Sequence, residues 1–510
     1  MLTAARDINS NIWEDFMSKR ISVLLVGGTV LFVAALMVGC GANSTTVSST
    51  TPPVVDGSVV TFGTDQPICD VESFIVTITS ATLGSQSGGQ TATLVSSTSP
   101  ATVDFARLTD FTNVLSTASI TPGTYDQLQM TVANPQLFAI NTSTSPPTSE
   151  SIPVTLTANT FTIPISPALM VTSSTTTGIT MDFNLRKSLQ VNGSGQVTGT
   201  VDPDITITPN TLSGSTVGEA DSLYGIVEST STSGLPTGFT GSFALTVADG
   251  TGQTYTILSN SSTVFEGDGV TSFSDLTANT FVEVDAIVNT SGQIIAQTVD
   301  SEEQTSPSSQ KSAFLGKILS VTRDGSGNAT AFTLLVDDEV PSLNGTIPLH
   351  SGLSVTLSSS TKYFVNWHHW NREAFTFGPQ TLGVAEKVAV FGVLGSGTPP
   401  TMAADHVFLR PRNVMGNFNT LLAAGSDGVT GGFTMTPCGS LFGGTPITVL
   451  TYADTNFTGV SGLINLTAAP TLNTRGDLFY EQTSGTATTG ASWTAPTWVM
   501  QARQVHQLPN

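Results

Sequence analysis

At 510 residues, with 37 acidic side chains against 16 basic ones and a net charge of −21, the chain is long enough for several domains. A surface this acidic repels phosphate backbones, which excludes nucleic acid as a partner. Charged residues make up only 10% of the chain, and the 39% that are hydrophobic alternate with abundant Gly, Pro, Ser and Thr, a balance that suits short strands and many turns.

In chain order, Met17-Ser-Lys19-Arg20 is basic, Ile21 to Val38 is apolar, and the run closes as LMVGC at Cys40. This order resembles a bacterial lipoprotein signal peptide, with Met37 where that family usually has leucine. The resemblance implies that residues 1–16 precede the true start, that 17–39 are a signal peptide removed on export, and that Cys40 becomes the lipid-modified first residue. The competing reading is an uncleaved membrane helix, since 18 apolar residues can nearly span a bilayer. Each buried lipid methylene contributes about 0.8 kcal/mol, and two chains anchor stably. Residues 40–56 are rich in Ser, Thr and Pro, lack hydrophobic periodicity and read as a flexible tether. Gly41 stands where retention signals place Asp, so the resemblance implies a lipid-anchored protein of the cell envelope, at the outer membrane and facing the periplasm or the exterior. The other cysteines, Cys69 and Cys438, fall in different segments; no disulfide framework is indicated, and both read as small buried hydrophobes.

Residues 57–212 run strand after strand, with period-two alternation in SFIVTITSATL (Ser73 to Leu83) and YDQLQMTVAN (Tyr125 to Asn134). The segment from Phe105 to Ser116 has room for one or two helical turns, and Pro122-Gly123 is a turn pair at the entry to the Tyr125 strand. TDQP (Thr64 to Pro67), VDFARL, ITPGTYDQLQM and TMDFNLRKSL (Thr180 to Leu189) follow in an order that resembles domain-of-unknown-function family 4382 of bacterial lipoproteins. That resemblance carries no activity with it. Asp182, Arg186 and Lys187 read as a solvated strand end with local pairing rather than a binding cluster, because surface pairs contribute only about 0–1 kcal/mol.

Past residue 210 the chain repeats. Three segments open with Gly225, Gly316 and Gly416, continue to Phe243, Phe332 and Phe433, place Thr263, Thr361 and Thr455 ahead of a further strand, and close with Ala296, Ala404 and Ala502. Residues 222–302, 313–412 and 413–510 are therefore three copies of one unit, each short enough to close as a small barrel. FEGDGVTSFSDLTANTFVEVDAIVNTSGQIIAQTV in the first copy resembles domain-of-unknown-function family 5666, with Asn279 and Ala286 replacing that family's usual glycines. The predicted fold class is all-β: one β-sandwich-like domain followed by three tandem small β-barrel-like repeats.

No G-x-S-x-G, H-E-x-x-H, P-loop or C-x-x-C pattern occurs. Asp337-Asp338-Glu339 and Glu302-Glu303 read as solvated charge, the second in a linker, and Asp324 to Asn328 as a turn without the glutamate of a calcium loop. One stretch stands apart. FVNWHHWNREAF places Trp367, His368, His369 and Trp370, in a chain with five of each residue type, inside an insertion of about eight residues in the second copy. His350 and His406 share that unit, but adjacent His368 and His369 point apart on an extended backbone and no cysteine joins them, so no metal is predicted. One tryptophan is expected to pack against the barrel and the other to stay partly exposed, with Trp367, His368, His369 and Trp370 as the candidate ligand contact. The sequence predicts no enzyme and no cofactor. It predicts a membrane-anchored envelope lipoprotein acting as a non-catalytic binding or adhesion module, with a glycan or envelope protein as partner; a structural or assembly component and a metal-dependent hydrolase are the alternatives.

Overall fold

The computed structural model describes residues 55–508 apart from 66–67, 86–87, 109–112, 194, 212–213, 248–252, 268, 305–310, 340–346, 366–371, 374 and 467–469. Alternating side chains set the architecture. In Val71–Gly84 and Gly123–Asn141, inward residues such as Phe74, Val76, Ile78, Leu128, Met130 and Val132 are buried while their neighbours face out. The two strands pair antiparallel at the centre of a ten-stranded sheet.

The two halves of that sheet meet at a single bridge, Ile165↔Ile207, and its end strands, Ala92–Val95 and Asn113–Ile120, come to lie side by side. The sheet thereby folds over one core, which is the sandwich-like domain that the alternation predicts. Pro122-Gly123 turns the chain into Gly123–Asn141, where the hydroxyl of fully buried Tyr125 donates to the Thr121 carbonyl at 2.7 Å. The Phe105 segment gives one 3-10 turn, Phe105–Leu108, before the strand Asn113–Ile120 begins.

Three six-stranded sheets follow with one strand order. Their first strands are Thr216–Ser231, Lys311–Arg323 and Arg412–Ala424; the second, Gly241–Val247, Ala329–Glu339 and Gly431–Pro437; the third, Thr254–Ser259, Gly352–Thr356 and Ile447–Thr451. A short fourth strand, then a fifth (Thr280–Asn289, Lys387–Leu394, Thr471–Glu481) and a sixth (Ile294–Gln304, Thr401–Arg410, Thr497–Gln507) complete each copy. The third strand pairs parallel with the sixth and closes the barrel. Glu303, expected in a linker, lies in the sixth strand of the first barrel, with its backbone opposite Phe281.

The repeated residues hold equivalent places. A Cβ on Gly225, Gly316 or Gly416 would collide with the backbone carbonyl of the facing strand, at Thr246, Leu335 and Thr436 respectively. Phe243, Phe332 and Phe433 fill the barrel interiors. The hydroxyls of Thr263, Thr361 and Thr455 donate to the carbonyls of Ala296, Ala404 and Ala502 at 2.9, 2.8 and 2.8 Å, and each accepts a backbone N–H from three residues upstream. The sixth strand bulges at these alanines in all three copies, so the threonine satisfies a carbonyl that the ladder leaves unpaired.

Apolar seams join the modules. Val60, Phe62 and Val114 of the first domain enter the core of the first barrel. Ile226 and Phe281 meet Leu315 and Phe391 between the first and second barrels, and Leu450, Phe479 and Val499 of the third barrel join the core of the second.

Candidate functional site

The four modules line a partly open cavity of about 1130 Å³. The strand that leads into the opening glycine supplies one wall from every barrel: Ser222 to Tyr224, Leu315 with Lys317, and Asn413 to Met415. The first domain supplies the opposite wall from Val71–Gly84, the strand Ala101–Asp104 and the turn after it. Six of the chain's sixteen basic residues line the space: Arg107, Lys317, Lys387, Arg410, Arg412 and Arg475. Seven acidic residues line it as well, Asp70, Glu72, Asp104, Asp221, Glu283, Asp337 and Asp338, so the wall gathers charge of both signs. Asp70, Ser222 and His350, at φ +59°, +51° and +62°, also line it. These are left-handed conformations that non-glycine residues seldom adopt.

Around the second barrel the charges pair across modules. Lys317 bonds Glu72 of the first domain. Arg107 bonds Asp104, at 3.2 Å, and Asp338 of the second barrel. Burial raises the Glu72 carboxyl above its usual range against the pull of Lys317. Arg412 donates to the Ala385 carbonyl and lies 5.4 Å from the Phe442 ring centroid; burial pushes its pKa down to about 10. His350 is 8% exposed, stacks on Phe138 with ring centroids 4.4 Å apart, and has no partner on either ring nitrogen. Burial holds it below the ordinary histidine range.

A second ionic group joins the three barrels. Arg410, 1% exposed, reaches Glu283 at 3.1 Å and lies 4.9 Å from the Tyr224 ring centroid, while the Tyr224 hydroxyl donates to Glu283 at 2.9 Å. Glu266, Asp300 and Glu283 stand opposite one another on three neighbouring strands. Burial, and then the neighbouring carboxylates, lift Glu266 to about 7; Asp300 also rises to about 7, by burial against the opposing pull of Arg410. Asp285 is raised to about 6 by burial and by Glu283. Burial also acts against the Glu283 charge, but Arg410 and hydrogen bonds outweigh it and hold that group below its usual value. From the third barrel, Arg475 bonds the Ser222 hydroxyl at 3.1 Å, and Arg503 faces the buried Asp477 at 3.4 Å.

Two expectations are corrected here. Cys69 and Cys438 are not small buried hydrophobes: they form a disulfide on the cavity wall, Cα atoms 5.7 Å apart, between the first domain and the third barrel. Cys69 is half-buried and Cys438 exposed. A separation of 369 positions gave no hint of the bond because only the packing of the modules brings these residues together. Beside it the Asp70 carboxylate accepts from the Ser440 backbone N–H at 2.7 Å and from its hydroxyl at 2.9 Å. Asp337 and Asp338 are likewise not solvated charge; both line the cavity, and one Asp337 oxygen is buried without a partner.

Cys40 and the Trp367, His368, His369, Trp370 stretch lie outside the described residues. The residues just beyond the stretch dock on the third barrel. Arg372 pairs with Asp454 and its N–H donates to Gln501 at 2.8 Å, while Phe375 packs 4.9 Å from Phe479, centroid to centroid. His350 and His406 sit in separate aromatic settings, His406 against Phe364 and Phe408. Among the described residues no three His, Cys, Asp or Glu side chains are grouped to hold a metal. Lys187 reaches Asp204 at 3.8 Å, on an exposed strand end. The turn at Asp324 closes on its own backbone, with Ser326 and Asn328 N–H donating to the carboxylate at 2.8 and 2.9 Å.

The cavity residues gave one sequence signal: scarce charges stand near the repeated glycines, Asp221 near Gly225, Lys317 beside Gly316 and Arg412 near Gly416. Residues 56–198 match the model of a family described as Domain of unknown function (DUF4382). No curated protein matches the chain.

Proposed function

We propose that the chain is an envelope lipoprotein, anchored at the outer membrane by lipid on Cys40, that works as a non-catalytic binding module and takes its ligand into the cavity between its four modules. The observation that carries this is the cavity itself, where one Asp337 oxygen and both His350 ring nitrogens are buried without a hydrogen-bond partner and the half-buried Lys387 stands on the same wall. Groups of this kind are costly to leave unsatisfied unless a ligand or water meets them. The disulfide supports export, since such bonds persist in oxidising compartments outside the cytoplasm. The signal-peptide resemblance at residues 17–40 supports the anchor, and the likeness of the first barrel to family 5666 supports a modular envelope protein.

Two measurements test the reading. Cys40→Ser is expected to release the chain from membranes. The full chain, exposed to envelope extract and washed, is expected to retain a small molecule seen by mass spectrometry that Ser116→Trp, which places an indole on the cavity wall, fails to retain while keeping the same circular dichroism. Nothing retained by the wild-type chain would turn the argument toward an assembly component.

A further inference from the structure

Lys317 and Lys387 face each other directly on the adjacent strands Lys311–Arg323 and Lys387–Leu394. Like charges so placed are destabilising unless each is neutralised. Glu72 neutralises Lys317 by direct contact. Lys387 has no such contact: Asp337 and Asp338 act on it only through their field, and Asp338 is held by Arg107. Asp337 is in the matching state with the opposite sign. It is the extra residue of a bulge, set between Val336 opposite Gly316 and Asp338 opposite Leu315, and one of its oxygens accepts nothing. His350, more than nine-tenths buried, lines the same cavity in the field of Asp337, with both ring nitrogens unpartnered.

An ammonium and a carboxylate that line one cavity without contacting each other match a ligand that carries both signs. Resting on the binding reading above, we propose that the cavity takes a small zwitterion of the amino-acid or short-peptide class, its carboxylate on Lys387, its ammonium on Asp337, and His350 adding an uncharged hydrogen bond. A simple anion would leave Asp337 repelled, and a simple cation would leave Lys387 so. At about 1130 Å³ the cavity has room for more than one residue of a peptide. Burial keeps His350 neutral at pH 7, with one nitrogen to donate and one to accept.

The test is titration calorimetry on the full chain in detergent, with L-alanyl-L-alanine, its N-acetyl derivative and its C-terminal amide. The free dipeptide is expected to bind, and each blocked form to bind about ten-fold or more weakly, because each leaves one charge of the cavity wall unmet. Lys387→Met is expected to erase the preference for free acid over amide, Lys387→Arg to keep it, and Asp337→Asn to erase the preference for free over acetylated amine. Unfolding midpoints identify any variant that fails to fold, and the three wild-type titrations decide the matter without the variants. Equal binding of either blocked form, or no heat from the free dipeptide at millimolar concentration, overturns the proposal. If the extract experiment yields a retained molecule lacking one of the two charges, this inference falls while the general binding reading stands; if nothing is retained, both fall.

Discussion

Replacing Cys438 with Ser should loosen the first domain from the third barrel before it affects anything else. The bond closes a loop of 369 residues. In the chain-entropy treatment a cross-link of that span removes roughly 20 cal/mol/K from the unfolded chain, a ceiling of about 6 kcal/mol at 25 °C, and native disulfides usually deliver about 2–4 kcal/mol. Taking about 3 kcal/mol, the unfolding midpoint drops by about 3 °C if some 450 residues melt together, and by about 10 °C if a first domain of roughly 150 residues melts alone. The local contacts favour the larger figure, since among the described residues beside the bond the hydrogen bonds across this seam are the two from Ser440 to Asp70. The assay is thermal unfolding of the wild-type chain with and without a dithiol reductant, alongside Cys438→Ser. Reductant and substitution should produce the same drop, and reductant should leave the variant unchanged. Alkylation that finds Cys69 and Cys438 as free thiols in protein isolated from cells without reductant, or a midpoint indifferent to reductant, would refute the reasoning.

Asp300, Glu266 and Asp285 have folded pKa values of about 7, 7 and 6, above those of the unfolded chain, so their contribution to stability is complete below about pH 4 and is lost as pH rises through 7; Glu283, held low, opposes this only below about pH 4.5. Asp300→Asn should therefore raise stability at pH 8 by on the order of 2–4 kcal/mol and leave it nearly unchanged at pH 4, and urea midpoints that move equally at both values would contradict the assignment. Gly316→Ala drives a methyl into the Leu335 carbonyl and should cost about 3 kcal/mol or more in urea unfolding, whereas Gly325→Ala, with open space at its Cβ, should change little. Thr361→Val deletes the hydrogen bond to the Ala404 carbonyl and the acceptor for Ser358 N–H, an expected loss of about 1–2 kcal/mol read from the same curves.

The barrels were legible because their landmarks do local work. A glycine facing a carbonyl, a threonine bonding across a bulge and a phenylalanine in the interior recur at similar spacings, since each barrel must solve the same packing problem. Even where the copies diverge from one another the same logic holds. Asn279 and Ala385 occupy one left-handed position, φ +68° and +70°, and each donates its N–H to the first strand, to Val227 and Ile318. Asparagine tolerates that region far better than alanine does. Gly392 and Gly476, opposite Ala404 and Ala502, stand where the first copy has Ala286 opposite Ala296. The cavity was not legible. Glu72, Lys317, Lys387 and Cys438 come from three modules, and no periodicity records which faces of separate modules meet. Reading Asp337-Asp338-Glu339 as solvated failed for that reason: the sequence shows a charge run after a strand, but not that Arg107 lies 231 positions away and in contact.

The three barrels keep one set of internal bonds but differ wherever they face the cavity. Into Gly225 the first brings Asp-Ser-Leu-Tyr, into Gly316 the second brings Ser-Ala-Phe-Leu with Lys317 just after, and into Gly416 the third brings Arg-Asn-Val-Met. Three like units around one space would present the same chemistry three times if their walls matched, and a small ligand could then sit in any of three equivalent orientations. Divergence at these positions removes the degeneracy. It sets Tyr224 against Arg410 on one side and Lys317 against Glu72 on another, and it places Lys387 and Asp337 on the wall that the second barrel supplies. The disulfide ties the first domain to the third barrel, so that the four walls hold one geometry. A repeat architecture thus supplies one set of internal bonds three times over, while the differences among its copies give the cavity between them walls of unlike chemistry.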